Sequence, residues 1–305
     1  MNILITGANG QLAKSFLYVV NNLKPNKNNY IFADRNTLDI TNKSKLNDFL
    51  VNNNISIIIN CAAFTNVKNA EYQYFDANLI NNVAVKNIAD LCKELNILLI
   101  HISTDYVFNG LKKLPYNEND ECDPLNLYGL TKHNGELSIM SSNCNYIIIR
   151  TSWLYSEYNN NFVKTIIKKI NDKTKTIYVC DDQYGSPTYA LDLSYFIFYY
   201  IENELYKSYV NQIYHYSNDG YCTWYDFAVY ILNTIKNNKL CNNIESEIVP
   251  KSTAFISELF NDYTSRPSYS ILSKDKIKNN FKNILIPYWT NSLNKCILNI
   301  YDKKY

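Results

Sequence analysis

The sequence predicts a doubly wound α/β fold, a parallel sheet with helices on both faces, joined to a second, smaller α/β lobe. Three observations point to it. Continuous apolar runs recur at regular intervals through the first 150 residues, and runs without alternation are the mark of strands buried on both faces. Stretches of helical periodicity separate them, which gives the strand-helix rhythm of parallel crossovers. The first run ends in a glycine turn, Gly7-Ala8-Asn9-Gly10.

Each element follows from its residues. Asn2-Ile3-Leu4-Ile5-Thr6 predicts the first strand, and a helix is expected over 12–23. Strands at 30–34, 55–60, 98–103 and 146–150 alternate with helices at 44–51, 78–95 and 128–140. After Arg150 the rhythm gives way to mixed pieces, with a helix expected over 189–201 and a strand over 212–216. The asparagine-rich stretches at 21–29 and 159–161 read as loops or helix ends.

The glycine turn sits between a strand and a helix, where backbone amides at a helix N-terminus can hold the pyrophosphate of a dinucleotide. The spacing is Gly-x-x-Gly with Ala13 in the third position. Asp34-Arg35 ends the next apolar run, roughly the ~20 residues further on where a ribose-reading residue is expected. Tyr128 and Lys132 are four apart on one predicted helix and share its face. A fixed positive charge favours phenolate, so the ammonium is expected to draw the phenol down from its ordinary value near ~10. Thr104, arriving at the end of the fourth strand, is placed to bond the same reacting oxygen.

The motifs together resemble the extended short-chain dehydrogenase/reductases and, within them, the dTDP-4-dehydrorhamnose reductase family. The matching stretches include 7–12, Leu38-Asp39-Ile40-Thr41, Asn60-Cys61-Ala62-Ala63-Phe64-Thr65-Asn66-Val67 and Ser103 to Phe108. The narrowest are Arg150-Thr151-Ser152-Trp153 and Asp182-Gln183-Tyr184-Gly185-Ser186-Pro187-Thr188. Two positions depart from the family pattern: Lys68 stands where a carboxylate is frequent, and Ala13 where a third glycine is usual.

The resemblance implies a Rossmann-type dinucleotide domain, 1–150 with about 186–216, and a sugar-nucleotide domain, 151–185 with about 217–305. It implies NADPH or NADH as cofactor, held by Gly7, Gly10, Gln11, Leu12, Asp34, Arg35, Asp39, Ile40, Ala62, Ala63, Phe64 and Thr65 together with Tyr128 and Lys132. Thr104, Tyr128 and Lys132 are the implied catalytic residues. Thr104, Asp105, Tyr106, Phe108 and Trp153 are expected to border a sugar-nucleotide ketone, reduced at C4. Two other readings use the same scaffold: a sugar-nucleotide epimerase or dehydratase, and a non-catalytic subunit resembling the regulatory β subunit of methionine adenosyltransferase. Asp105 followed by Tyr106, with no second acid, favours simple reduction.

Composition sets limits. The chain has 305 residues, enough for two units, and 47% hydrophobic residues to fill their cores. A net charge of +2 provides no field for nucleic acid. No apolar run reaches the ~18 residues of a membrane span. The eight cysteines include no Cys-x-x-Cys pair, and with a strand beginning at residue 2 the expected location is a reducing cytoplasm. The acidic cluster Glu118, Asp120, Glu121 and Asp123 lacks the spacing of a calcium loop and reads as solvated, so no metal is expected. His101, His133 and His215 read as structural. A homodimer remains open.

Overall fold

The computed structural model describes residues 1–25 and 27–302. Strands β1 (Asn2–Thr6), β2 (Asn29–Ala33), β3 (Ile55–Asn60), β4 (Leu98–Thr104) and β5 (Tyr146–Thr151) alternate with helices α1 (Gln11–Leu23), α2 (Lys43–Asn52), α3 (Val67–Tyr72), α4 (Tyr74–Asn78), α5 (Ala84–Glu94) and α6 (Leu127–Ser142). The chain continues through β6 (Leu154–Tyr155), α7 (Phe162–Asn171), β7 (Thr176–Cys180), β8 (Tyr184–Gly185), β9 (Thr188–Tyr189), α8 (Ala190–Glu202) and β10 (Gln212–His215). It closes with β11 (Cys222–Thr223), α9 (Trp224–Asn237), β12 (Glu247–Lys251), α10 (Thr253–Phe260), α11 (Asp275–Asn280) and α12 (Trp289–Tyr301).

Six parallel strands form the central sheet in the order β10-β5-β4-β3-β1-β2. The order reverses between β1 and β3, and open α/β sheets bind ligands outside the strand C-termini at such a point. The apolar runs work as two-sided strands. Ile3, Ile5, Ile57, Ile59, Ile100, Ile147 and Ile149 pack with Phe16 of α1 and with Leu193 and Phe196 of α8. Leu4, Ile58, Leu99 and Ile148 face the other way, against α2, α5 and Ile139 of α6. A third core, built from α7, β7, α9, β12 and α12, fills the smaller lobe.

One region departs from expectation. The single helix expected over 78–95 begins earlier and is broken: α3 and α4 precede a π-helical turn at Leu79–Val83, which leads into α5. Asn66 starts α3 by accepting from the Asn69 amide, and polar Asn residues at 66, 69, 78, 81 and 82 weaken the apolar period that would announce a helix. Lys68 reaches the end of α10, donating to the Asn261 carbonyl at 2.7 Å. No described helix is long and apolar enough to cross a membrane.

Candidate active site

A cavity of about 590 Å³ opens at the C-terminal ends of β1, β3, β4 and β5 and runs against the smaller lobe. One wall is the glycine turn. Gly7 has φ +67, and a Cβ there would stand 2.8 Å from the Ala62 amide nitrogen, so only glycine lets β1 turn this close to the end of β3. The Gly10 amide closes the turn on the Gly7 carbonyl at 2.8 Å. Gly10 is the N-cap of α1, brings no side-chain cap, and the first turn of α1 carries no acid. An anion-compatible helix start results, lined by Gly10, Gln11 and Leu12. These residues fit a dinucleotide pyrophosphate, because the cradle requires a missing Cβ and presents uncapped amides. Ala13 is fully buried where a third glycine is usual in the family, so the packing tolerates its methyl.

The opposite wall carries the reactive groups. α6 starts at Asn126, whose side chain accepts from the Gly129 amide at 2.8 Å, while Glu71 accepts the Leu127 amide at 2.8 Å. A Cβ on Gly129 would meet the Tyr106 carbonyl oxygen at 2.2 Å. The helix therefore presses on the β4 loop and brings Tyr128 beside Tyr106, ring centroids 5.8 Å apart and edge-on. The Thr104 hydroxyl is hydrogen-bonded to Tyr128. Asp105 is buried, bonded to Thr104 at 3.2 Å, and burial lifts its carboxyl to about 7 against hydrogen bonds from Ser270 and Thr104.

The Tyr128 phenol overturns one expectation. Burial pushes it up to about 12, with the Thr104 bond opposing. Lys132 does not draw it down, because its ammonium is turned to the backbone of β4, donating to the Ile102 carbonyl at 2.6 Å, and meets His101 Nε2 at 3.1 Å. Burial also lowers Lys132 itself to about 8, against the opposing charges of Glu136 and Cys61. One turn on, burial pushes the Glu136 carboxyl up but His133 and Arg150 outweigh it, and Arg150 Nη2 donates to Glu136 at 2.7 Å.

Of the residues expected from sequence, Gly10, Gln11, Leu12, Ala63, Thr65, Thr104, Asp105, Tyr106, Tyr128, Lys132 and Trp153 line the cavity. Gly7 and Ala62 form the packed turn behind it. Phe64 is gripped through its backbone: its amide donates to Asn81 Oδ1 at 2.9 Å and its carbonyl accepts from Asn81 Nδ2 at 3.0 Å. Asp34, Arg35, Asp39 and Ile40 lie past the rim, beyond the end of β2. Asp34 is partly spent on its own loop, accepting from Thr37 and from Asn9 Nδ2, and the Asp39 carboxylate accepts from the Thr41 amide and hydroxyl.

Phe108 is placed elsewhere. It is fully buried, stacked on Tyr116 at 4.2 Å beneath the Arg150 guanidinium, and does not line the cavity. The ring is large and apolar at the end of a strand, and a small satellite core with Val107 and Leu272 takes it up. The acidic cluster is also more than a solvated loop: Glu118 accepts the His215 amide, and Asp120 pairs with Lys112.

Several lining residues were not among the expected site residues. Trp224, Phe162 and Phe227 join Trp153 in an aromatic wall, Trp153 lying flat on Trp224 with centroids 3.5 Å apart. Trp153 has φ 48, a left-handed conformation rare for a bulky residue, which turns the chain at the end of β5. The stretch 159–161 is cavity wall as well as helix end. Asn161 caps α7 and donates to Gln11 Oε1 at 2.9 Å, and Asn159 donates to the Asn9 carbonyl at 2.7 Å. The smaller lobe is thereby stitched to the glycine turn.

Comparison with known proteins agrees with this geometry. The family model described as RmlD substrate binding domain matches residues 1–301. The dTDP-4-dehydrorhamnose reductase of Aggregatibacter actinomycetemcomitans is 34% identical over 280 residues, 92% of each chain. Among solved structures, a dTDP-4-dehydrorhamnose reductase from Clostridium acetobutylicum is 36% identical with a TM-score of 0.86, covering 97% of this chain and 98% of its own. The Bacillus anthracis dTDP-4-dehydrorhamnose reductase, solved in complex with NADP, is 35% identical with the same TM-score, covering 98% of this chain and 99% of its own.

Proposed function

The chain belongs to the RmlD substrate binding domain family, that of the dTDP-4-dehydrorhamnose reductases, and from that premise we propose that Tyr128, Lys132 and Thr104 carry its reaction. The protein is an NAD(P)H-dependent oxidoreductase that reduces the C4 ketone of dTDP-4-dehydro-6-deoxy-L-mannose to dTDP-L-rhamnose. The observation that carries the assignment of roles is the meeting of half-buried Tyr128, buried Lys132 and Thr104, a glycine cradle and an aromatic wall in one cavity.

The reduced nicotinamide supplies the hydride when bound, and the chain supplies everything else. Tyr128, held as a neutral phenol by burial, donates its proton to the sugar oxygen as negative charge develops there. Thr104 donates a second hydrogen bond to the same oxygen, a contact that strengthens as charge grows. Lys132, its ammonium held by the Ile102 carbonyl and His101 with one donor left for the cavity, would bond the ribose hydroxyls beside the nicotinamide. Gly10, Gln11 and Leu12 would hold the pyrophosphate, and Arg35, just after β2, would supply a cation for a 2′-phosphate. Trp153 and Trp224 would present an apolar platform to the deoxysugar's C–H face.

The test is a turnover assay with dTDP-4-dehydro-6-deoxy-L-mannose and NADPH, followed by NMR of the product sugar. Stoichiometric NADPH oxidation with dTDP-L-rhamnose formed is the expected result. A protein that binds NADPH and leaves the keto sugar untouched would overturn the reading.

A further inference from the structure

The ends of β1 and β3 and the middle of β4 carry a row of polar residues where apolar ones would pack. Thr6 is in register with Asn60, and Asn60 with His101. All three side chains are essentially fully buried. They are joined end to end: Thr6 Oγ1 to Asn60 Oδ1 at 2.6 Å, Asn60 Nδ2 to His101 Nδ1 at 3.1 Å, and His101 Nε2 to Lys132 Nζ at 3.1 Å. The Ala62 amide adds a contact to Thr6 at 3.3 Å, tying the row to the segment after β3. Burying four polar groups costs stability unless each is satisfied, and here each finds its partner in the next.

We propose that His101 is a positioning residue for Lys132, fixing the direction of the lysine head group and changing its own tautomer with the lysine's charge. The proposal deepens the reductase reading and rests on it for its kinetic arm. An ammonium has three N–H donors. The Ile102 carbonyl takes one at 2.6 Å and His101 Nε2 takes the second, which leaves the third for the cavity that Lys132 lines. An acceptor at Nε2 requires the ring proton on Nδ1, and the Asn60 amide then turns over from the orientation above, its carbonyl oxygen accepting from Nδ1–H and its Nδ2 donating to Thr6 Oγ1. When the lysine is a neutral amine the polarity reverses: Nε2–H donates to Nζ, Nδ1 accepts from Asn60 Nδ2, and Asn60 Oδ1 accepts from Thr6. The other ionisable groups that face this pair are Cys61 beyond β3 and Glu136 on α6. Burial holds the Cys61 thiol up at about 12, and Glu136 is committed to Arg150, so neither takes up the lysine's proton.

The experiment has two arms on the full-length protein. In the first, the nitrogen shifts of the three histidines are recorded from roughly pH 6 to roughly pH 10, across the lysine's range, with His101→Gln identifying the His101 signals. The ring proton is expected to move from Nδ1 to Nε2 as Lys132 loses its charge. A single tautomer throughout would overturn the proposal. In the second, His101→Leu removes the acceptor and His101→Gln keeps one at similar reach. The leucine variant is expected to lose about tenfold or more in kcat, the equivalent of one hydrogen bond, with the alkaline limb of its pH profile displaced, while the glutamine variant recovers most of the loss. Equal losses in two variants with wild-type melting temperatures, or none in either, would overturn it. If wild-type protein fails to turn over the sugar, the reductase reading falls, and the tautomer arm still decides the role of His101.

Discussion

Tyr128 and Lys132 illustrate how burial and charge compete at one site. Desolvation raises the phenol and lowers the amine, so near neutral pH Tyr128 holds the proton that reduction consumes. Tyr128→Phe is expected to lower kcat/KM by ~10²–10⁴-fold, the usual worth of a general acid, with NADPH binding unchanged by fluorescence titration. Lys132→Met should separate stability from activity. The buried ammonium titrates at about 8 against an ordinary 10.5, so at pH 7 its charge costs the fold on the order of 3 kcal/mol. The substitution also leaves two buried acceptors, the Ile102 carbonyl and His101 Nε2, unpaired at about 1–3 kcal/mol each, which offsets most of that gain. Between pH 8 and 10.5 the unfolded chain binds the extra proton, and wild-type stability from this group rises with pH. The variant is therefore expected to be inactive and to melt close to wild type at pH 7, and to lose ground against wild type as pH rises through that window, followed by thermal unfolding at each pH. Arg35→Ala should weaken NADPH without weakening NADH, measured as the ratio of kcat/KM values. The reactive residues were legible because Thr104 is a polar type at the end of an apolar run and Tyr128 and Lys132 stand four apart on one helix face. Phe108 and His101 were not, since nothing in a sequence says whether an aromatic at a strand end turns to the cavity or to a satellite core, or that a strand histidine lies 3.1 Å from a lysine on α6.

Among the elements, the π-helical turn Leu79–Val83 has a specific duty. Its Asn81 side chain satisfies both backbone groups of Phe64 and donates to Thr131 at 3.1 Å, one residue from Lys132. Such turns inside helices are frequent at functional sites, and this one braces the cofactor-side loop against α6. Asn81→Ala leaves buried partners unpaired at about 1–3 kcal/mol each. The melting temperature is expected to fall by several degrees and the NADPH dissociation constant to rise; an unchanged dissociation constant would show that the brace is not needed by the cofactor. Central strands could be placed from sequence to within a residue or two, because two-sided burial demands unbroken apolar runs. The segment from α3 to the π turn was harder, since Asn caps and an extra residue in the turn break the 3.6-residue period on which helix prediction rests.

For the molecule as a whole, the contacts between the glycine turn and the smaller lobe decide the shape of the cavity. Asn161 and Ser156 both bond Gln11 Oε1, at 2.9 and 3.0 Å, and Lys14 reaches Asn159. Asn161→Ala removes the α7 cap and the link to Gln11 together. It is expected to raise KM for NADPH and for the keto sugar with a smaller change in kcat, and steady-state kinetics with each varied in turn would check it. Long-range stitching of this kind joins positions about 150 apart in sequence, which is why residues 159–161 read as a loop or helix end and not as cavity wall.

The cavity has one further consequence. Its anion-receiving end, Gly10 to Leu12, and its aromatic end, Trp153 and Trp224, belong to a single space of about 590 Å³. Two fragments chosen for the two ends can therefore be tethered with no wall between them. A short flexible tether presents the second fragment at an effective concentration in the millimolar range. Two fragments, each with a dissociation constant near ~10 μM, would join into a ligand near ~0.1 μM with no new contact, on the ordinary arithmetic of linked binding.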